Sequence, residues 1–518
     1  MRPPVWQPPI ALSHAEQAIV SRIRRAKLCI FLRRIRHELF STAFQEELAT
    51  IFRDRPKGQP PVPPAQLALV TLRQAYTGAS DEEAIAALLM ERRWQLVLDC
   101  LDCEAPPLSK ATLVRFRAAL IQHGLDRRLV ERTIELATQH RGVSPRALRA
   151  ALDSSPLGGA ARGEETENLW GHALRKAWRV VARQQGRGVA AVATEAGAAV
   201  VSTSSLQAAL ELDGDEPPAR QQALGQVRAA LDAMERWLAT QGEAAQEPSG
   251  VASLAAARQV QAQDVDTPAD GRPQRRRGVA PGRRITLEDA EMRHGRKSRR
   301  QRIDGYKRQV LRDLASGVVG AVGVTPANVP EASVLAPLVA DLTAQAVTLR
   351  ELHIDRASLS SPLVRERPAG LEMFCTAWPV RHGTRFPKTA VVLAWEAGTR
   401  RCPNAVTMPF QAGGVVHFSA TTCAVCPVHA PCTSSVRGRS LSIHPEERLL
   451  GELRARQQTP EGRAKLRERI AVEHPLAHIG RWQGERARYR GQRKNLFELR
   501  RSAVIHNLHV LARLPEAA

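Results

Sequence analysis

Three acidic residues in this sequence stand where carboxylates could work together. The apolar run 145–153 ends in Asp153, the alternating run 347–354 is followed by Asp355, and both runs predict strands. Glu473 lies in the helical run EGRAKLRERIAVEHPLAHIG. Side chains at the carboxyl edges of neighbouring strands face one crevice in an α/β core, so the three could share a site. Their separations are too long for a local motif, and the alternative is three solvated surface groups.

The chemistry open to such a site follows from its ligand type and from the charge of the chain. Carboxylate oxygens suit Mg²⁺ or Mn²⁺ and do not favour a dedicated zinc cage. Lys and Arg number 75 against 52 Asp and Glu, and the net charge of +23 predicts a polyanionic partner such as nucleic acid. Together these features favour phosphodiester chemistry, in which two ions about 4 Å apart activate the attacking oxygen and stabilise the leaving one.

A second group of possible metal ligands is formed by cysteines. Cys402, Cys423, Cys426 and Cys432 follow the pattern CP, twenty residues, then CxxCx5C. Four thiolates could close a structural Zn²⁺ site that holds together a loop insertion without a core of its own. The alternative is a set of buried reduced thiols, with His429 as a possible substitute ligand. The other four cysteines are interpreted as packing residues, and a disulfide framework is not expected.

Basic side chains are concentrated in two runs that could follow a DNA backbone. The first lies within the Gly-punctuated run 271–302, which predicts a loop or arm, and in the strand after it; its cations are Arg296, Lys297, Arg299, Arg300, Arg302 and Lys307. The second follows Glu473 and contains Arg481, Arg486, Arg488, Arg490, Arg493 and Lys494, with Trp482 and Tyr489 between them. Such charges give affinity without base specificity, and an aromatic ring could stack on an unpaired base. A solvated basic loop and core packing of Trp482 are the alternatives.

Length and composition exclude several classes of protein. A chain of 518 residues predicts about three to five structural units. Hydrophobic residues at 43% and charged residues at 25% argue against wholesale disorder. No run of 18 apolar residues occurs, and the N-terminus lacks the features of a secretory signal, so we expect a cytoplasmic protein without membrane association.

The elements that must position these residues can be divided along the chain. Helical periodicity dominates 21–140 and 165–262, whereas strands are predicted near 306–313 and 318–325, with a helix at 333–345 before the strand that precedes Asp355. The segments are an extended start (1–20), a helical N-terminal domain (21–142), the first strand of an α/β core (143–162), a helical insertion (163–270), the basic arm and core strands (271–370), a cysteine-containing insertion (371–440) and C-terminal helices (441–518).

Several ordered motifs resemble those of bacterial insertion-sequence transposases of the DDE class. The N-terminal stretch GQPPVPPAQLALVTLRQAYTGASDEEA is similar to the helical N-terminal domain of that group. The other similar stretches are LDSSPLGGAAR (152–162), EDAEMRHGRKSRRQRIDGYK (288–307), VTPANVPEA (324–332), HIDRASLSSPLV (353–364), CAVCPVHAPCTSS (423–435) and the long run from 472 to 509. The resemblance extends from about residue 28 to the C-terminus and is least distinctive over 163–287.

The resemblance implies an α/β ribonuclease-H-like catalytic core with an all-helical N-terminal domain and a helical insertion. Asp153, Asp355 and Glu473 match the three metal-binding carboxylates. Related proteins often carry a Tyr, an Arg and a Lys around the glutamate, and this chain has Leu466, Arg469 and Gly480 there. Arg469 would contact phosphate or form an ion pair with Glu473.

The implied function is DNA transposition. The protein would bind the terminal inverted repeats of double-stranded DNA, use Mg²⁺ or Mn²⁺ to cut at the transposon ends, and join the freed 3′-hydroxyl to target DNA. A homodimer on DNA is the expectation from the family. The alternatives are an inactive relative that only binds DNA and a metal-dependent endonuclease without strand transfer.

Overall fold

The computed structural model describes residues 2–54, 58–141, 147–202, 217–240, 247–269, 271–297, 300–380 and 383–514. In this part of the chain the protein is a mixed α/β structure rich in helix. None of the helices found there is both long and apolar enough to cross a bilayer.

The described residues of the N-terminal region form helices joined by short loops, as expected for 21–140. The segment 1–20 was expected to be extended, yet its last residues form the first helix, His14–Arg22, which Ser13 caps by accepting the Glu16 N–H. Ser109 caps its helix by accepting the Thr112 N–H, and Gly78 ends another in the left-handed conformation at φ +76°. The helices are α1 (His14–Arg22), α2 (Lys27–Leu39), α3 (Thr42–Ala49), α4 (Pro64–Thr77), α5 (Asp81–Met90), α6 (Arg92–Leu98), α7 (Lys110–Gln122) and α8 (Leu125–Arg141).

A six-stranded sheet forms the centre of the protein. Its strands are β1 (Leu148–Gly158), β4 (Arg293–Arg296), β5 (Arg302–Asp313), β6 (Val319–Pro326), β7 (Leu349–His353) and β8 (Glu372–Phe374), while β2 (Val265–Asp266) and β3 (Gln274–Arg275) pair separately. Strand β5 pairs antiparallel with β1 on one side and with β4 and β6 on the other. Strand β7 lies parallel to β1, and β8 lies parallel to β7. The spatial order is therefore β6, β5, β1, β7, β8, with β4 beside the first residues of β5.

Helices cover both faces of this sheet, and a hydrophobic cluster lies on each face. Successive side chains of β1 belong alternately to the two clusters. Ala150 and Leu152 pack on the face covered by α13 (Leu335–Ala344) and α17 (Glu447–Gln458). Ala151 and Leu157 pack on the opposite face, which is covered by the C-terminal helices. Because successive side chains of a strand point to opposite faces, Asp153 belongs to the face of Ala151.

The described residues of the predicted insertion between the first two sheet strands are mainly helical. Trp170 and Trp178 are fully buried in a cluster distinct from the clusters on the sheet. The helices are α9 (Thr166–Gln184), α10 (Val189–Glu195), α11 (Pro217–Ala239) and α12 (Pro248–Asp264), with a 3-10 turn at Ala199–Ser202.

The remaining elements follow the sheet strands. Three-residue strands form two small sheets in the cysteine-containing segment: β9 (Val392–Ala394), β10 (Thr399–Arg401), β11 (Thr407–Pro409), β12 (Val415–His417) and β13 (Ser440–Ser442). The short helices are α14 (Pro362–Arg365), α15 (Ala420–Ala424) and α16 (His429–Cys432). The C-terminal helices are α18 (Pro460–Arg467), α19 (Glu473–Gln483) and α20 (Gln492–Leu511), with a 3-10 turn at Glu468–Val472 before α19.

Two sequence predictions about strands were wrong. Strand β1 does not end at Asp153 but continues to Gly158, because β5 pairs with it through Pro156. Proline is tolerated there since β7 ends at His353, and the rest of β1 is paired on one side only. The basic run 271–302 was expected to be a loop or arm, yet it contains β4, and Arg296 lies opposite Arg302 across a hairpin.

The predicted limits of the cysteine-containing segment also need correction. Strand β8 (Glu372–Phe374) lies inside the predicted insertion 371–440 but pairs with β7 in the central sheet. At the other end, β13 reaches residue 442 and pairs with β12. The cysteine-containing segment therefore begins after Phe374. The apolar Met373 and Phe374 are buried and belong to the central sheet.

Helix α20 joins the N-terminal helices to the sheet. Phe497, Val504 and Leu508 are buried in the same cluster as the apolar residues of α2 and α4. Asn507 accepts the Val319 N–H through Oδ1 and donates through Nδ2 to Thr133 Oγ1 at 2.9 Å. The predicted N-terminal domain thus shares one hydrophobic core with the C-terminal helix.

Candidate active site

Asp153 lies on β1, and Asp355 follows the end of the neighbouring parallel strand β7. The parallel register of these strands pairs Ala151 with His353, and continuing it by two residues sets Asp153 opposite Asp355. Neighbouring strands lie about 4.8 Å apart, and residues two apart on a strand share a face. The two aspartates therefore extend one row of residues on the face covered by the C-terminal helices.

Asp153 is partly buried and already has two partners. Its Oδ1 accepts the Ser154 backbone N–H at 2.8 Å, and its Oδ2 lies 3.0 Å from Arg469 Nη1. The Arg469 guanidinium forms an ion pair with Asp153, but Nη1 is not aligned to donate a hydrogen bond to the carboxylate. Arg469 thus pairs with the first aspartate and not with Glu473, which was the ion pair considered from the sequence.

Asp355 is exposed at the end of β7. The backbone remains extended after the strand, because the Ile354 N–H donates to the Phe374 carbonyl of β8. Asp355 then begins the 3-10 turn Arg356–Ser360, and its Oδ1 accepts the Arg356 N–H at 2.6 Å. Among the described residues no cation forms an ion pair with its carboxylate, so both oxygens retain capacity for a ligand.

Glu473 is exposed and is the first residue of α19. The residue before it, Val472, is fully buried in the cluster that also contains Ala151. Because Ala151 and Asp153 share a face of β1, this packing brings the start of α19 to the side of the sheet that carries the aspartates. Within the described ranges, Glu473 has no ion-pair partner either.

A second acidic cluster lies on the same face, beside β1 and β7. Oxygen and nitrogen atoms of Glu351, His353 and Glu468 lie within 4.8 Å of one another and could hold a metal ion. Sequence reasoning missed this set because Glu468 is far along the chain from the other two. The alternation of Glu351, His353 and Asp355 on β7 was the only signal that could have indicated it.

Cations already occupy this second cluster. Glu351 binds Arg149 Nε at 3.0 Å and Lys465 Nζ at 2.8 Å, and Glu468 lies 3.4 Å from the same ammonium. Burial raises the pKa of Glu351, but hydrogen bonds from Arg149, His353 and Lys465 outweigh it and lower the pKa to about 2. Burial also lowers the pKa of His353. The cluster is therefore an ion-pair network in which the charge that would attract a metal is already neutralised.

Arg308 is a buried cation on the aspartate face that the sequence did not single out. Its guanidinium donates to Ser155 Oγ at 2.7 Å and to Gln483 Oε1 and the Gly484 carbonyl at the end of α19. Burial lowers the pKa of Arg308 to about 10. A Cβ at Gly480 would lie 3.2 Å from Arg308 Nη2, so glycine at 480 makes room for this cation.

The first basic run forms the edge of a large groove. The groove has a volume of about 1390 Å³ and lies between the helical insertion and the hairpin of β4 and β5. Arginines line it from both sides: Arg162, Arg175, Arg179, Arg275, Arg283, Arg296, Arg302 and Arg490. His172, Arg175 and Arg179 recur at helical spacing on α9, which is the sequence signal for this wall that was missed.

The other predicted cations of this run differ in their surroundings. Lys297 and Arg300 are exposed near the hairpin tip, and Arg299 lies outside the described residues. Lys307 does not join the groove: its Nζ donates to the Val329 carbonyl at 3.1 Å and lies 4.0 Å from Glu331.

The two aromatic residues of the second basic run pack inside the protein. Trp482 stacks on His509 with ring centroids 5.4 Å apart and lies 6.3 Å from Tyr76. Tyr489 accepts a hydrogen bond from Arg501, and burial is the largest influence on its pKa, which nearby Arg501 and Arg117 nevertheless lower. The packing alternative for Trp482 is therefore the one the structure supports.

The cations of this run are mostly exposed. This holds for Arg481, Arg486, Arg488, Arg490 and Lys494, whereas Arg493 is half-buried and pairs with Asp126. Arg490 pairs with Glu288 at the edge of the groove. The exposed charge of the second run thus adjoins the groove through Arg490, whereas Trp482 and Tyr489 are half-buried and pack on other side chains.

The fold is that of a basic mixed α/β protein in which Asp153 lies on β1 of the central sheet and Asp355 follows the end of the neighbouring strand β7. Residues 401–512 match the family described as Transposase DDE domain, and residues 20–119 match the family described as Transposase domain (DUF772). These matches support an insertion-sequence DDE transposase. Glu473 and the four clustered cysteines lie within the first range, whereas Asp153 and Asp355 lie outside both. No curated protein and no solved structure gave a significant match.

Proposed function

We propose that this protein is a DDE transposase that cleaves DNA at the ends of its insertion sequence and transfers the freed strands. The observation that supports the proposal is the parallel register of β1 and β7, which pairs Ala151 with His353, two residues before Asp153 and Asp355 respectively. The strand order supports a ribonuclease-H-like core, since three antiparallel strands, β6, β5 and β1, are followed by two parallel ones, β7 and β8.

The aspartates fit a divalent cation better than the neighbouring cluster does. Asp153 and Asp355 offer carboxylate oxygens of the kind that Mg²⁺ and Mn²⁺ prefer, and Glu473 begins the helix beside them. Bound there, such ions would activate the attacking oxygen and stabilise the leaving one. The chain itself supplies positioning: Asp153 is held in the paired strand β1, Asp355 begins the 3-10 turn that follows β7, and Arg469 beside Asp153 can turn toward a phosphate.

The groove is proposed to hold the DNA backbone. It begins at Ala161, beyond the end of β1, and Gly158 is five residues from Asp153. At about 3.3 Å per residue this places the end of β1 about 17 Å from the aspartate, or roughly five base steps of DNA, and the groove begins just beyond that end. DNA lying in the groove could therefore reach the carboxylates as one continuous duplex end.

The N-terminal helices are proposed to bind the terminal inverted repeats, and two copies are proposed to pair the ends. The match of residues 20–119 to a transposase domain supports the first part. The exposed basic residues of α1 and the turn after it, among them Arg22, Arg24 and Arg25, give that region the charge to contact phosphates.

The decisive test is cleavage of labelled DNA that carries the element's own terminus, with Mg²⁺ or Mn²⁺ and with EDTA. Asp355→Asn should abolish cleavage and retain end binding. Glu351→Gln, four residues earlier on the same strand, is the matched control and should retain metal-dependent cleavage. Loss of cleavage in Glu351→Gln but not in Asp355→Asn would move the metal site to the second cluster and refute the assignment.

The alternatives predict different outcomes in the same experiment. A protein that only binds DNA would hold the end without cutting it under any metal condition. An endonuclease would cut but would not join the 3′-hydroxyl to a second labelled duplex. Cleavage followed by joining, both lost in Asp355→Asn, is the result expected from a transposase.

A further inference from the structure

Four cysteines from separate segments surround one small cavity far along the chain from the carboxylates. Cys402 follows β10, Cys423 lies in α15, Cys426 follows that helix, and Cys432 ends α16. All four line a cavity of about 30 Å³, which has room for about one atom. His429, the substitute ligand considered from the sequence, is not among the lining residues.

Two arginines are buried beside these cysteines without a carboxylate to neutralise them. Arg400 is 0% exposed and Arg439 is 4% exposed. The guanidinium of Arg400 lies 4.2 Å above the ring of Phe418, and its Nε and Nη1 have no hydrogen-bond acceptor. Arg439 donates to the Cys432 carbonyl and lies 3.6 Å from Cys432 Sγ, while its Nε lacks an acceptor. In the described part of the chain, neither arginine forms an ion pair.

Burying a cation without a counter-charge costs free energy, so an anion beside Arg400 and Arg439 would stabilise this part of the protein. Thiols are neutral, and four protonated cysteines would leave both guanidinium charges uncompensated. Four thiolates around one Zn²⁺ carry a net charge of −2, which balances two guanidinium groups. We infer that Cys402, Cys423, Cys426 and Cys432 bind a structural zinc ion, with Arg400 and Arg439 as its buried counter-charges.

The surrounding segment needs such a crosslink. Its own hydrophobic cluster has three buried members, Val391, Phe418 and Leu441. A cluster this small cannot offset the conformational entropy of ordering about 60 residues, whereas a structural zinc ion contributes folding free energy directly. The ion would tie β10 to the loop around α15 and α16.

Local backbone geometry is suited to presenting the sulfurs. After Cys402 the chain turns tightly, with the Ala405 N–H donating to the Cys402 carbonyl and Ala405 held at φ +60°. The Cys426 N–H donates to the Cys423 carbonyl, so the side chains of these two cysteines project from the same backbone turn. Among the described residues, Glu351, His353 and Glu468 are the only three whose ligand atoms lie within 4.8 Å of one another, so no three of the four cysteine sulfurs lie that close. The four sulfurs must therefore draw together, by side-chain rotation, when they lose their protons to the ion.

The test is metal analysis of the full-length protein, purified without a histidine tag and without DNA. We expect about one zinc per chain, and its loss in both Cys423→Ser and Cys432→Ser. Cys103→Ser is the matched control, because Cys103 is the exposed member of the other CxxC pair, and it should keep the metal. Because no DNA or cleavage is involved, the result is independent of the proposed transposase activity.

A second arm tests the arginines. Arg439→Gln should release zinc to a competing chelator at a concentration lower by about 10-fold to 100-fold, as for other groups that support metal ligands. Exposed Arg437→Gln should match the wild type. Folded wild-type protein without zinc, zinc undiminished in Cys423→Ser, or a mass lower by two hydrogens that reports a disulfide would each overturn the assignment.

Discussion

Removing three arginines from the groove should change how DNA binding depends on salt. Arg162, Arg179 and Arg296 are exposed, line the groove from both walls, and form no ion pair with any described residue. The triple substitution to Gln lowers the formal net charge from +23 to +20. If each arginine neutralises one phosphate, three fewer counterions are released when DNA binds.

The size of the effect follows from that count. The slope of log K against log salt concentration changes by about 0.9 for each phosphate contact, so the triple variant should lose about 2.7 units of slope. Between 50 and 200 mM salt, the wild type should therefore lose about 40-fold more affinity than the variant does. At 0.1 M salt, the same relation gives an upper limit of about 500-fold for the loss of affinity.

The assay is fluorescence anisotropy with a labelled duplex, measured over that salt range. The control is the triple variant Arg350→Gln, Arg365→Gln and Arg437→Gln, which makes the same change in net charge at exposed positions outside the groove. Its slope should equal that of the wild type. Equal slopes for all three proteins would refute the placement of DNA in the groove, and equal reductions in both variants would show that bulk charge alone governs binding.

Three further predictions concern single side chains. Asp126 is 0% exposed and binds Arg493 and Arg500, so Asp126→Asn should lower the free energy of unfolding by about 3 to 5 kcal/mol and lower the melting temperature. The carboxylate of Asp341 is 24% exposed, so the control Asp341→Asn should lower the free energy of unfolding by under about 1 kcal/mol. Equal losses of stability in the two variants would contradict this prediction. Burial lowers the pKa of His506 to about 3. Below about pH 6.5 the unfolded chain therefore binds a proton at this side chain that the folded chain excludes. The free energy of unfolding should fall by up to about 1.4 kcal/mol for each unit by which the pH is lowered. His506→Gln should flatten that fall in acid-unfolding curves, and an unchanged curve would exclude His506 as its source. Arg469→Gln should lower several-fold the Mg²⁺ concentration that half-saturates cleavage, because the cation beside Asp153 is removed; an unchanged metal titration would count against the ion pair.

Local periodicity was enough to predict the main helices and the two strands β1 and β7, although not the direction in which those strands pair. The helical runs 21–140 and 165–262 and the strand before Asp355 have regular apolar spacing, and the structure has the corresponding elements there. Strand β1 was harder to delimit, because Ser154, Ser155 and Pro156 are typical of a turn. Pairing with β5 outweighs these local preferences, and that pairing is a property of the whole sheet.

Long-range partners explain what the sequence did not reveal about the site. Arg469 was expected beside Glu473 because the two are four residues apart, but a 3-10 turn precedes α19 and directs the guanidinium to Asp153. Trp482 lies among exposed arginines in sequence, yet it packs on Tyr76 from a helix about 400 residues earlier. The counter-charges of the cysteine cluster were equally hidden, since a buried arginine cannot be told from an exposed one by its sequence alone.

The shared core around α20 has a consequence for how DNA ends would be handled. Arg493 and Arg500 of α20 bind the buried Asp126 of α8, while Asn507 of the same helix binds β6. The N-terminal helices and the sheet are therefore fixed to one rigid element by buried polar contacts, which are costly to break. A DNA end held by the N-terminal helices would then meet the aspartates at a set distance and angle. Positioning by a rigid frame of this kind is a large part of catalysis in phosphoryl transfer, because the protein contributes mainly geometry and electrostatics.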